Sequence, residues 1–310
     1  DSRLRGNDKK NNETIKQSNY EIFPFFGALF YMLNLGTVQI FYLPFESFST
    51  FFTFLPWGIW GFLKVISNIK YQISKRDILV FFLINLLGTP AFYTQQLFIV
   101  YVLILGCVAL GFFIGHPKGV QARKIFFSFL LIFVINSFWL LPQFYFLKTN
   151  DRVVSEAKAN QLATENVFYQ NYEKGTINNF LKLEGFYYDL KGKDNTFLFA
   201  PWKDHFSGIF GLLPYFFFGL FIAGLYQNVK KKNYGFLFIF ILCSTALLSA
   251  TPPFLWLNQL LRQNSFINQI FRSPFTKFII PYSLVYSFFV AKGLSFFGTN
   301  LKKVSPYIIF

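Results

Sequence analysis

Apolar runs of about 20 residues, the length a helix needs to cross the hydrocarbon core of a bilayer, recur along this chain with short polar breaks between them. They cover residues 22–42, 49–66, 78–92, 96–114, 125–147, 206–226, 234–256 and 278–297, and predict an all-α, polytopic membrane protein of about eight transmembrane helices. The third run is the shortest, because Gly88, Thr89 and Pro90 interrupt it and leave barely enough length to span. Five segments follow: a polar N-terminal segment 1–20, helices one to five over 21–147, a large aqueous loop over 148–205, helices six to eight over 206–304, and 305–310 as the first turn of a further span. The chain is expected to be a piece of a longer membrane protein, with residues 1–10 an adventitious extension and no signal peptide among the first 20.

Charge sets the orientation. Basic residues collect at alternate connections: Arg3, Arg5, Lys9, Lys10 and Lys16; Lys64, Lys70, Lys75 and Arg76; Lys118, Arg123 and Lys124; Lys230, Lys231 and Lys232; Lys302 and Lys303. All fall on one side of an eight-span arrangement, and cytoplasmic loops are the ones that retain Lys and Arg. The N-terminus is therefore expected in the cytoplasm of a cell whose cytoplasmic (inner) membrane holds the chain. Glu46, Ala91 and segments 151–205 and 258–277 then face outward. The formal charge of +15 reflects this anchoring, which also favours anionic lipid headgroups, and implies no nucleic-acid partner.

The 148–205 loop holds eight acids and eight bases, neutral within a strongly basic chain, as suits an extracytoplasmic segment. Thr176 is positioned to cap a short helix running to Leu183 and ended by Gly185. The aromatic residues Phe186, Tyr187, Tyr188, Phe197, Phe199 and Trp202 suit anchoring at the membrane interface, and aromatic rings also stack on sugar faces. The 48 Phe residues carry no functional weight, since Phe serves well as lipid-facing surface.

Candidate chemistry is sparse. Cys107 and Cys243 lie in apolar spans, and His116 and His205 are far apart, so no disulfide framework or metal motif is indicated. No Asp or Glu occurs from residue 206 to 310, yet Arg262, Arg272 and Lys277 lie on the outward stretch before the last span. Arg272 can grip two phosphate oxygens with its planar fork and Lys277 adds a mobile point charge, so the three cations are the candidate site for a lipid phosphate. The simpler alternative is that they snorkel at a helix end. Glu46 is the outward acid between the first two spans, a candidate base that reads more simply as a solvated carboxylate. Asn136, Trp139, Asp204 and His205 are candidates for lining a substrate cavity, since Asn in hydrocarbon needs a partner.

The order of these features resembles GT-C-type membrane glycosyltransferases. The run Gly27-Ala28-Leu29-Phe30-Tyr31-Met32-Leu33-Asn34, then Asn136-Ser137-Phe138-Trp139-Leu140-Leu141-Pro142, the long loop, Thr251-Pro252-Pro253 and the 271–278 block are most similar to the alpha-(1→3)-arabinofuranosyltransferase family, and the YfhO-like membrane proteins are similar too. The resemblance implies transfer of a sugar from a polyprenyl-phosphate donor to a glycan or lipid acceptor of the cell envelope, with a divalent cation as an open cofactor question. In that class the catalytic Asp or Glu lies in the first outward loop; if the first span here matches a later family helix, that acid lies upstream and Glu46 is not the base. Two alternatives stay open: an O-antigen polymerase or ligase type protein, and a transporter or flippase of an anionic lipid-linked substrate, which calls for broken helices and internal repeats.

Overall fold

The computed structural model describes residues 22–42, 45–67, 74–115, 122–150, 152–153, 156, 172–189, 191–197, 199–202, 208–232, 234–271 and 273–304. Within them the chain is helical, with one isolated bridge between Lys191 and Phe197. The helices are α1 (Ile22–Leu33), α2 (Leu35–Tyr42), α3 (Glu46–Ser67), α4 (Lys75–Gly88), α5 (Gln95–Gly115), α6 (Ala122–Thr149), α7 (Ile177–Lys182), α8 (Leu213–Lys230), α9 (Gly235–Leu247), α10 (Phe254–Arg262), α11 (Ser265–Ile270), α12 (Pro274–Lys277) and α13 (Ile279–Val304).

Six of these helical segments are long and apolar enough to cross a membrane, or seven if the pair α1 and α2, bent by 45°, forms one span. The expected count of eight therefore differs in two places. The first run is two helices meeting at Asn34, and the seventh shrinks to the 13 residues of α9. The interrupted third run holds: where Pro90 would block an α-helix, the chain tightens into a 3-10 turn over Thr89–Tyr93, giving a 19-residue crossing from Lys75 to Tyr93.

Around α13 the bundle closes, with α2, α3, α8, α9 and α12 all packed on it. Lipid tails are as apolar as Leu, so helices in hydrocarbon gain little from hydrophobic burial and rely on close contact and hydrogen bonds. Both are present. A Cβ on Gly224 of α8 would run into the carbonyl of Phe289, and one on Gly293 of α13 would run into that of Leu220, so the two backbones touch where the helices cross. Polar clips join the rest: the Tyr31 hydroxyl donates to the Phe52 carbonyl (2.8 Å) and the Tyr101 hydroxyl to Asn85 Oδ1 (3.1 Å).

The segment 172–202 docks on this bundle. Thr176 caps α7 as expected, but the helix ends at Leu183, which itself adopts the left-handed conformation (φ 57°), not at Gly185. Gly185 instead lies against the Gln39 side chain of α2, whose amide would have to shift to admit a Cβ there. The Tyr282 and Tyr286 hydroxyls of α13 donate to the carbonyls of Phe180 and Leu181, both at 3.3 Å, and the Phe180 ring stacks on Tyr282. Tyr188 donates to the Leu35 carbonyl at the start of α2 (2.9 Å), and Phe199 packs on Tyr42.

The α8–α13 crossing generates a direct test. Gly224→Ala and Gly293→Ala are each expected to destabilise the protein by about 1–3 kcal/mol through overpacking. Gly219→Ala on the same helix, with open space around it, is expected to be neutral or mildly stabilising. Unfolding by sodium dodecyl sulfate titration in mixed micelles reads the difference.

Candidate functional site

The sequence candidates do not converge on one centre. Arg262 is half-buried and gives three hydrogen bonds: Nε to Asn258 Oδ1 (2.6 Å), Nη1 to Asn268 Oδ1 (3.3 Å) and Nη2 to the Phe271 carbonyl (2.8 Å). Burial pushes its guanidinium down from the ordinary value, yet an arginine stays a cation at any physiological pH. Lys277 is only 3% exposed, and its ammonium donates to the Ile270 carbonyl (3.3 Å). Both cations thus meet neighbouring carbonyls at the C-terminal end of α11, where exposed acceptors favour positive charge. Asn258 extends the network by donating to the Thr245 carbonyl of α9 (3.1 Å).

Arg272, Asp204 and His205 lie outside the described residues. Glu46 is exposed at the first turn of α3, where a carboxylate suits the helix N-terminus. Asn136 is fully buried on α6, and its needs are met within that helix: Nδ2 donates to the Ile132 carbonyl (2.9 Å) and Oδ1 accepts from Trp139 Nε1 (2.9 Å). The Trp139 ring then packs edge-on against Phe98 of α5. Among the described residues no cluster of three His, Cys, Asp or Glu could hold a metal.

A different region has the form of a binding site. At Asn34 the first apolar run breaks between α1 and α2, and the freed backbone groups find partners within the protein. The Asn34 side chain serves both ends of the break. Its Nδ2 donates to the carbonyls of Phe30 (2.9 Å) and Tyr31 (3.0 Å), closing α1, while Oδ1 accepts from the Thr37 amide (3.0 Å), capping α2. Oδ1 also accepts from Ser283 Oγ of α13 (3.1 Å), and Thr37 Oγ1 donates to the Tyr31 carbonyl (2.6 Å).

Beside this joint runs a groove of about 310 Å³ between α1, α8 and α13, roofed by α7. Its walls are apolar, with Leu29, Leu33, Phe217 and Val290 among them; Asn34 and Lys182 are its polar members. Lys182 closes α7 and, among the described residues, has no ion-pair partner, whereas nearby Lys174 is engaged by Asp189 and, at 4.0 Å, by Glu184. At the loop–α2 junction the Tyr188 phenol is pushed up from its ordinary value, first by burial and then by the Glu184 charge, so it stays a neutral donor. The fully buried amide of Gln39 has no hydrogen-bond partner in this junction.

Two substitutions separate the joint from the α11 network. Asn34→Ala removes the four hydrogen bonds of that side chain, to the Phe30 and Tyr31 carbonyls, the Thr37 amide and Ser283 Oγ, and is expected to cost about 1–3 kcal/mol in detergent unfolding. Arg262→Lys cannot reproduce three divergent donors, so hydrogen exchange is expected to accelerate over α10 and α11 and to stay unchanged over α3 and α4.

Comparison with known proteins returns no match to this chain, whether among family models, curated proteins or solved structures.

Proposed function

We propose that the chain is a multi-pass protein of the bacterial cytoplasmic membrane that binds a polyprenyl-phosphate-linked sugar on the outer side, as the donor of a GT-C-like glycosyltransferase. In this reading the bent α1–α2 pair and α9 with the segment after it each complete a crossing, giving eight, and the N-terminus lies in the cytoplasm. The single observation that carries the reading is the groove beside Asn34, apolar along its walls and headed by Lys182. A prenyl tail leaving lipid for such a groove gains little hydrophobic free energy, since it was already in hydrocarbon. Affinity and selectivity therefore rest on the headgroup. A phosphate about 4 Å from Lys182 gains roughly 1 kcal/mol in bulk water and up to about 4 kcal/mol near a protein surface.

In the reaction the bond from the sugar's anomeric carbon to the phosphate oxygen breaks and a bond to an acceptor oxygen forms. The acceptor's proton passes to a base, and the lipid phosphate leaves as an anion that Lys182 would stabilise. Arg262 and Lys277 then serve by holding the outward helices α10 to α12 in shape, with Arg272 the remaining cation of that stretch for the donor or acceptor. The acceptor is a glycan or lipid of the envelope.

One observation favours a second reading, a transporter of an anionic lipid-linked substrate: a span broken at a capped joint, of the kind transporters use. Titration of the purified chain in nanodiscs with a polyprenyl-phosphate sugar tests the site. Lys182→Ala is expected to weaken binding about tenfold (roughly 1.4 kcal/mol), and Leu33→Trp, at an exposed wall position, to block it. Binding indifferent to both substitutions in folded protein overturns the site. Release of free polyprenyl phosphate when envelope acceptors are added supports transfer; movement across the bilayer without cleavage moves the assignment to transport.

A further inference from the structure

The opposite face of α1 lines a second groove, of about 480 Å³, toward the end of the bundle where α8 finishes and α9 begins. Its walls come from α1 (Phe23, Pro24, Ala28), α13 (Leu284, Phe288) and Phe236 of α9, and it also takes in Gln227, Lys231 and Lys292. Both lysines line this one groove, Lys231 as an exposed residue. Lys292 lies within the α13 crossing, half-buried, with its ammonium 5.5 Å from the centre of the Phe288 ring. That ring is a weak partner for a cation compared with a carboxylate, and no Asp or Glu occurs anywhere from residue 206 to the end of the chain. Among the described residues neither lysine has an ion-pair partner; the described pairs both involve Lys174.

Two like charges at the edge of hydrocarbon repel each other unless an anion sits between them. A lipid phosphate at that depth satisfies both, and the apolar walls along α1 and α13 suit its glycerol and acyl portion. We propose that this groove is a binding site for an anionic glycerophospholipid, with the phosphate between Lys231 and Lys292 and the chains along α1 and α13. The site is independent of the donor groove, since it lies on the other face of α1 and takes a different lipid.

Native mass spectrometry of the full chain in detergent, titrated with short-chain phosphatidylglycerol, phosphatidylcholine and glycerol 3-phosphate, tests this assignment. Phosphatidylglycerol is expected to bind about tenfold more tightly than phosphatidylcholine, and glycerol 3-phosphate not to compete. Lys231→Gln/Lys292→Gln removes that preference. The double Arg variant keeps it, as does Lys64→Gln, whose ammonium sits over Trp60 outside the groove. If the double Gln variant fails to fold, Ala28→Phe leaves both lysines and narrows the groove, and must also lose the preference. Equal binding of the two lipids, equal loss in Lys64→Gln, or full competition by glycerol 3-phosphate overturns the proposal.

Discussion

Helices surrounded by hydrocarbon are not pushed together by water, so this bundle depends on how closely α13 lets its neighbours approach. The mutual contact of Gly224 and Gly293 with opposing carbonyls fixes α8 against α13, and the same helix receives α2 through Ser283 and the α7 roof through Tyr282 and Tyr286. A shift of α13 would therefore reach the α1–α2 joint, the 172–202 segment and both grooves together. The dispersion gained at such a crossing is small per atom, but it acts over many pairs and tolerates no extra methyl.

The break at Asn34 follows from that anchoring. A continuous helix from Ile22 to Tyr42 would satisfy its own backbone, and breaking it exposes polar groups where each unsatisfied one costs several kcal/mol. One asparagine supplies donors to the end of α1 and an acceptor to the start of α2, while Ser283 and Tyr188 add ties to α13 and the outer segment. The compensation is local and nearly complete. What the bend obtains is shape: it sets α2 against the 172–202 segment and leaves α1 standing between two grooves.

Run length and hydropathy were enough to read from the sequence a helical chain with several helices long and apolar enough to cross a membrane, because those two properties are what such a helix needs. They could not report the break, since Asn34 sits in an otherwise apolar run and its meaning lies in bonds to residues as distant as Ser283. The cation candidates were legible as charges but not as partners: the absence of acids after residue 205 suggested an anionic ligand, whereas Arg262 and Lys277 meet backbone carbonyls, acceptors that every sequence contains and none displays. Lys182 was hidden for the opposite reason, as one base among eight in a balanced loop. Lys292 was hidden inside an apolar run. The expected stop at Gly185 shows the same limit, since Leu183 takes the left-handed position and the glycine packs beside Gln39 instead.

Arg262 and the lysines Lys182, Lys231 and Lys292 divide by what lies within reach of them. Arg262, with its fixed fork, is spent on three acceptors that define the shape of a turn, a use that matches a rigid planar donor. Lys182, Lys231 and Lys292 are single mobile charges at the rims of apolar grooves, with no carboxylate beside them among the described residues. A compact ammonium at such a rim loses part of its hydration without a protein counter-charge to replace it, and that cost falls when a lipid anion arrives. If lipid tails exchange between bilayer and groove at little net gain, the rim charge would decide which lipid stays. One groove headed by a single lysine and another by a pair would then discriminate by headgroup charge on opposite faces of α1.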